Sequence, residues 1–281
     1  MNYGPSGLMP DRATVLDKLP ACRVSWVLLI EVRVPYERAD SITIRSTDYS
    51  ETSLVLVFYT REYGRISALA KGAKRKSSGL IGNIDLFSHG EIIFASGRTR
   101  DKLNILTEAD AAETFSGVRA SLPRFYAACH AAELLLKLTA VEDPNAELFE
   151  RMLGLLRALD KGTEPAVALL AFEAHLLVLS GFMPQVAGCV SCGKPVKGRT
   201  IEFAWRRGGV ICADCAPEES GFTGPAPGGA LALLGRLAAG KVTKLERVTI
   251  SPQVGRQARA FLNQYEAQLV GRELRTARHL A

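Results

Sequence analysis

The chain is predicted to be a mixed α+β protein, a small β-barrel followed by an α-helical domain with an inserted four-cysteine module. Three observations predict this class. Five short β-forming runs crowd residues 41–115, the apolar period lengthens to that of helices from residue 117, and two Cys-x2-Cys pairs interrupt the helical part. The 281 residues allow one large domain or two to three small ones. Apolar residues at 47% and charged residues at 23% are those of an ordinary globular chain.

Residues 1–38 show no clean periodicity and are set apart as an N-terminal extension of unassigned role. The first 23 residues offer no stretch with the basic, apolar, small-residue order expected of a signal peptide. VSWVLLIEVRV at 24–34 is interrupted by Glu31 and Arg33 and falls short of a membrane span. A cytoplasmic protein without membrane contact is expected.

The barrel is expected over 39–116. SITIRS alternates, SLVLVFYT is strongly β-forming, and RISALAKG alternates again after the REYG turn. GNIDLFSHGEIIFASG and DKLNILTEADAAETF read as the last two strands. Five short strands in so few residues favour a small closed barrel, with an OB-type barrel the most economical form. Helices are expected over 117–281. SLPRFYAACHAAELLLKLTA and DPNAELFERMLGLLRALD carry apolar residues at helical spacing, each with Pro near its start. TEPAVALLAFEAHLLVLSGF is apolar nearly all round, the pattern of a buried helix. The three should pack as a bundle. Two further helices, over 228–239 and 255–279, flank an alternating KLERVTIS.

The cysteine module spans 186–216. Cys189 and Cys192 are followed, nineteen residues on, by Cys212 and Cys215. A two-residue gap lets both thiolates of a pair reach one ion from a tight knuckle, and Gly193 helps the first knuckle close. Four thiolates fill a tetrahedral Zn2+ shell and leave no position for water, so one structural zinc ion is expected rather than a catalytic one. Lys194, Lys197, Arg199, Arg206 and Arg207 would offset the negative shell. In a reducing compartment a disulfide framework is disfavoured.

The net charge of +6 is unevenly placed. Segment 40–115 nets zero, whereas 232–281 holds nine Lys/Arg against three Glu. Within the barrel, Lys71, Lys74, Arg75 and Lys76 make a basic loop, with Arg45, Arg61 and Arg65 nearby. Tyr49, Phe58, Tyr59 and Tyr63 are the aromatics on offer for base stacking. A basic groove with stacking side chains is how OB barrels hold single strands, so these residues are the candidate DNA contacts. Lys241, Lys244, Arg247, Arg256, Arg259, Arg272, Arg275 and Arg278 could extend the path. No P-loop, dinucleotide fingerprint or HExxH occurs. His130 and His175 lie on apolar helix faces, where core histidines are commoner than catalysts. An enzyme is disfavoured.

Three tracts, SITIRSTDYSETS, FYTREYGRISALAKGAKRKSS and LLAFEAHLLVLSGFMPQVAGCVSCGK, together resemble the bacterial RecO family of DNA repair proteins. Ser50 stands where that family commonly has Gly, and the first 38 residues exceed its usual start. The resemblance implies an OB-fold, a helical domain and an inserted zinc module. It implies binding of single- and double-stranded DNA, strand annealing, and work with RecR and RecF in loading RecA. It also implies capture of the acidic tail of single-strand-binding protein, for which Lys137, Arg151 and Arg157 are rim candidates. A protein-interaction scaffold without annealing activity is the alternative reading.

Overall fold

A computed structural model describes residues 36–97, 103–219, 221–240 and 250–280. Most of the predicted N-terminal extension, Lys241, Lys244, Arg247 and nearly all of KLERVTIS lie outside them.

Five strands form the first part: β1 (Tyr36–Asp48), β2 (Leu54–Thr60), β3 (Gly64–Ala70), β4 (His89–Ala95) and β5 (Asn104–Glu113). Their order β1-β2-β3-β5-β4 closes into a barrel. Antiparallel pairs make most of the wall, and a short parallel ladder, Ala68 on Asn104 and Leu69 on Ile105, shuts it. The apolar run of β2 serves two faces, as alternating strand side chains must. Leu56 and Phe58 point into the barrel with Ile66, Ile92, Phe94 and Leu106. Tyr59 points outward into a second core, with Ile42, Leu135 and Phe149. β1 carries a bulge between Thr43 and Arg45 that redirects its pairing with β2.

The segment GNIDLFSH does not form the strand its apolar residues predicted. β4 begins only at His89. Leu80 and Ile84 instead fold from turns into the barrel core, so their burial comes from plugging the barrel rather than lining it.

The helical part comprises α1 (Ser116–Arg119), α2 (Leu122–Leu138), α3 (Ala146–Asp160), α4 (Pro165–Leu179), α5 (Gly228–Ala238) and α6 (Pro252–Val270). Asn145 caps α3 by accepting from the Leu148 amide, and Ser251 caps α6 through Val254. The all-round apolar character of α4 has a specific cause. Ala168, Leu169, Phe172 and Leu176 join the core shared with α2, α3 and the barrel, while Leu170, Ala171, Ala174 and Leu177 join another with α5 and α6. That second core is roofed by a three-stranded sheet of β6 (Thr200–Ala204), β7 (Gly209–Val210) and β8 (Thr223–Pro227), in the order β7-β6-β8. Phe203 of β6 meets Phe261 and Tyr265 of α6 edge to face. No helix among the described residues is long and apolar enough to cross a membrane.

Candidate nucleic-acid interface and metal site

The basic residues predicted around the barrel separate into two groups. β2 and β3 form a hairpin whose turn, 61–63, lies at one end; Leu54 and Ala70 pair at the other. Seven residues of strand put these ends about 20 Å apart.

At the end beyond Ala70 the chain enters the basic loop. Lys71, Lys74, Arg75 and Lys76 are all exposed. The loop is pinned to the β1–β2 turn by the Lys74 amide on the Thr52 carbonyl and the Gly72 amide on Ser53 Oγ. Lys74 Nζ meets Asp48 at 2.6 Å. Tyr49, at the tip of that turn, is 64% exposed, and Arg45 is exposed on β1. An exposed aromatic and four cations thus share this end of the barrel, with Arg45 exposed further along β1.

At the turn end, Arg61 and Arg65 have other partners. Arg61 reaches Glu150 of α3 at 2.6 Å and Asp40 at 3.1 Å, and its guanidinium lies 4.6 Å from the Phe149 ring centre. The Glu150 hydrogen bond, outweighing partial burial, holds the Arg61 cation even more firmly charged. Arg65 donates to the Thr139 carbonyl, and its Nε is buried. Tyr63 donates to Glu37 and lies edge-on to Phe94. Arg61 and Arg65 thus dock the barrel on the helical part, whereas Tyr63 braces the barrel itself, between β1 and β4. Gly64 shows how close that docking is. Its φ is +65°, and a Cβ there would sit 2.2 Å from the Asp143 carbonyl oxygen. The seam continues through His89, which contacts Asp40 at 2.8 Å and Glu113 at 3.0 Å, and through Arg157, which grips Glu113 with two nitrogens.

Two of the proposed stacking aromatics are excluded by burial. Phe58 is 1% exposed inside the barrel, and Tyr59 is fully buried against the helices. Arg259 is removed from the C-terminal DNA path for the same reason. It is a bidentate partner of the buried Glu173. Arg256, Arg272, Arg275 and Arg278 remain exposed. Of the rim candidates on the helices, Lys137 is exposed, Arg151 pairs with Glu147, and Arg157 is committed to Glu113. The seam residues His89, Glu113 and Glu150 had no sequence signal, because their partners lie far away along the chain.

The four module cysteines converge, with all four sulfurs within 4.8 Å of one another. Cys192 and Cys212 stand 3.7 Å apart. That is far longer than a disulfide, and it matches the edge of about 3.8 Å of a tetrahedron with ~2.3 Å metal–sulfur bonds. The first knuckle is closed by the Gly193 amide on the Cys189 carbonyl and the Cys189 amide on Lys194, with Gly193 at φ +74°. The second turns through the Cys215 and Ala216 amides on the Cys212 carbonyl. Backbone N–H groups of Cys192, then Cys212, pull the Cys189 thiol down to about 6. Hydrogen bonding to Cys212, then burial, pushes Cys215 up to about 12. Neighbouring thiolates oppose one another's ionisation, and a bound cation removes that opposition. Arg207 braces the first knuckle through Ser191 Oγ and the Val190 carbonyl, and Lys194 bridges to Asp214 of the second.

The fold and site together define a class of protein: a five-stranded barrel with an exposed cationic end, docked on a helical bundle that carries a cluster of four cysteines compatible with a metal ion. Two family models match the chain, Recombination protein O N terminal over residues 35–115 and Recombination protein O C terminal over 119–278. Their division falls at the junction of barrel and helices. The chain is 34% identical over 241 residues to the DNA repair protein RecO of Anaeromyxobacter sp. (strain K), covering 85% of this chain and 93% of that one. It is 38% identical over 182 residues to the RecO of Rhodopirellula baltica, covering 64% and 67%, and 30% identical over 243 residues to that of Bacillus pumilus, covering 86% and 93%. The chain belongs to the RecO family, whose relatives are DNA repair proteins.

Proposed function

We propose that this protein is a non-enzymatic DNA-binding mediator of recombinational repair whose OB-type barrel meets DNA at its cationic end. The observation that carries this reading is the exposed group of Lys71, Lys74, Arg75 and Lys76 beside Tyr49, remote from the docked seam. Arg45 extends the group along β1. In this reading Arg61 and Arg65 serve the seam and Tyr63 braces the barrel; their bonds to Glu150, Thr139 and Glu37 leave these three little to offer DNA.

The mechanism makes and breaks no covalent bond. Two polyanionic strands repel each other, and a cationic surface neutralises both backbones and releases their counterions while leaving base edges free to pair. Lys74 can exchange Asp48 for a phosphate at small cost, since that pair is solvent-accessible. The same surface would accept single- and double-stranded DNA without sequence preference. As the family membership suggests, the protein would anneal complementary strands and act with RecR and RecF to load RecA onto DNA coated by single-strand-binding protein. It would capture that protein's acidic tail on the helical part, where the exposed Lys137 is the rim candidate best placed to meet a carboxylate. Its place would be the cytoplasm, associated with the nucleoid.

The four cysteines would hold one structural Zn2+. The thiolate set and the 3.7 Å sulfur separation suit that ion, and a filled shell leaves it no catalytic position.

The test is a fluorescence annealing assay on complementary strands pre-coated with single-strand-binding protein. Wild-type protein should accelerate annealing, and replacing Lys71, Lys74, Arg75 and Lys76 together with Glu should abolish the acceleration without unfolding. A folded wild-type protein that binds the tail peptide but does not anneal would support the scaffold reading instead.

A further inference from the structure

Within the helical part, six polar side chains from three helices and the C-terminal turn form one connected group, three of them fully buried. His130 of α2 is fully buried, as are Glu173 of α4 and Glu266 of α6. His130 Nε2 lies 3.2 Å from Glu173 Oε1 and 3.2 Å from Glu266 Oε2. Arg259 of α6 grips both oxygens of Glu173. On the other side of the ring, His130 Nδ1 lies 2.7 Å from Thr276 Oγ1. Thr276 in turn contacts Glu133, one turn along α2 from His130.

Hydrogen bonding fixes where the protons are. Glu133 accepts from the backbone amides of Arg275 and Thr276, and although its partial burial opposes ionisation, these bonds and the Thr276 hydroxyl keep its carboxyl below the usual range. It is therefore an acceptor, and the single hydroxyl proton of Thr276 must point to it. Thr276 Oγ1 is then left to accept from His130, which requires a proton on Nδ1. Nε2 faces two carboxylates at the same distance. A proton placed on Glu266 would satisfy one contact and leave the Nε2 lone pair against the Glu173 oxygen. A proton on Nε2 serves both.

We infer that His130 is a resident imidazolium, protonated on both nitrogens at neutral pH, and that it acts as the cation locking α6 and the C-terminal turn onto α2 and α4. With Arg259 it faces the charges of Glu173 and Glu266, and the four charges cancel where Glu266 is ionised. The lock reaches further through α6, because Phe261 and Tyr265 of that helix hold Phe203 of the sheet beside the cysteine clip.

The electrostatics of the groups facing the ring agree. Burial alone would favour neutral His130, but the hydrogen bonds to Glu173 and Glu266 outweigh it and raise the group to about 9. Burial, ahead of the Glu173 charge, pushes Glu266 up to about 7. Burial opposes the Glu173 charge too, yet Arg259 and His130 keep that carboxyl below its usual range. Between about 7 and about 9 both carboxylates are ionised and the imidazole is charged, and below about 7 Glu266 takes up a proton while His130 stays charged. Since the folded state holds the His130 proton more tightly than an unfolded chain does, this contribution is complete below about 6.5 and is lost as pH rises through about 9.

The experiment is long-range 1H–15N spectroscopy of the full chain with 15N-histidine, resolved by replacing the other three histidines, His89, His175 and His279, one at a time with Gln. At pH 8, about 1.5 units above an ordinary imidazole, His130 should keep the pattern of two protonated nitrogens and lose it only near pH 9. A neutral pattern at pH 8 overturns the inference. Elemental analysis of the purified chain closes the other route. The metal content should be that of the cysteines and unchanged in Glu266→Gln, whereas a further equivalent lost in Glu266→Gln would mean that a metal, not a proton, occupies the face of Nε2.

Discussion

Tyr59 and Phe58 are neighbours in one strand, yet they serve different cores, and neither meets solvent. The Tyr59 hydroxyl is buried without a partner among the described residues, and burial, then the Asp143 charge, pushes it up to about 12. Removing an unsatisfied hydroxyl relieves a desolvation cost, so Tyr59→Phe should leave stability unchanged or raise it by about 1 kcal/mol, with DNA affinity untouched. Tyr49→Ala should weaken single-strand binding by about 1–3 kcal/mol if a base stacks there, with no change in melting temperature. Comparing binding isotherms and melts of the two variants checks both statements. Gly64→Ala is the residue-scale test of the seam. A Cβ against the Asp143 carbonyl, on backbone at positive φ, should cost about 2–3 kcal/mol in denaturant unfolding. The sequence made Gly64 readable as a turn but could not reveal the backbone pressed against it. Likewise, Arg61 and Arg75 are the same residue type in one basic tract. Only the partners that folding brings up, Glu150 and Phe149 of α3 and Asp40 of β1, distinguish a seam cation from an exposed one.

At the scale of elements, the periodicities carried most of the fold. β2 and α4 were legible as strand and buried helix because apolar residues on every side leave few alternatives. GNIDLFSH was misread because a plug and a strand both bury apolar residues, and composition does not separate them. The convergence of the four cysteines was legible because two Cys-x2-Cys pairs each fold into a tight knuckle, whereas the Arg207 brace depends on where β6 and β7 place the loop. Cys189→Ser should first cost stability and solubility, since Cys189 belongs to the four-cysteine cluster and also sits in the small core of Ala204 and Ile211. A thermal melt with and without chelator reads this, and normal folding combined with lost DNA binding would contradict it. The seam is acid-sensitive in a predictable direction. Arg157, against an opposing burial effect, holds the Glu113 carboxyl below its ordinary range. That contribution is present above the ordinary carboxylate value and is lost as pH falls through the lowered one. Arg157→Gln should therefore flatten the acid limb of the stability profile below about pH 4.5.

For the molecule as a whole, the charge has a direction. The barrel tract nets zero by composition, and counting residues could not have located its cationic end. Docking turns Arg61 and Arg65 inward and leaves the loop cations outside, so the surface differs in sign from place to place although the total does not. Reversing the four loop residues should lower the slope of log affinity against log salt by up to about 3 for single strands, at roughly 0.7 for each phosphate no longer neutralised. Titrations at several salt concentrations measure it, and an unchanged slope would place the DNA elsewhere. The double duty of α4 also bears on how the chain is made. A ribosome delivers α2, α3 and the barrel before α4, but α5 and α6 only afterwards. At about 5–20 residues per second, the face of α4 carrying Leu170, Ala174 and Leu177 waits several seconds for its cover. A nascent chain paused between α4 and α5 would present that face to chaperones, making this stretch of synthesis the period of greatest exposure to aggregation.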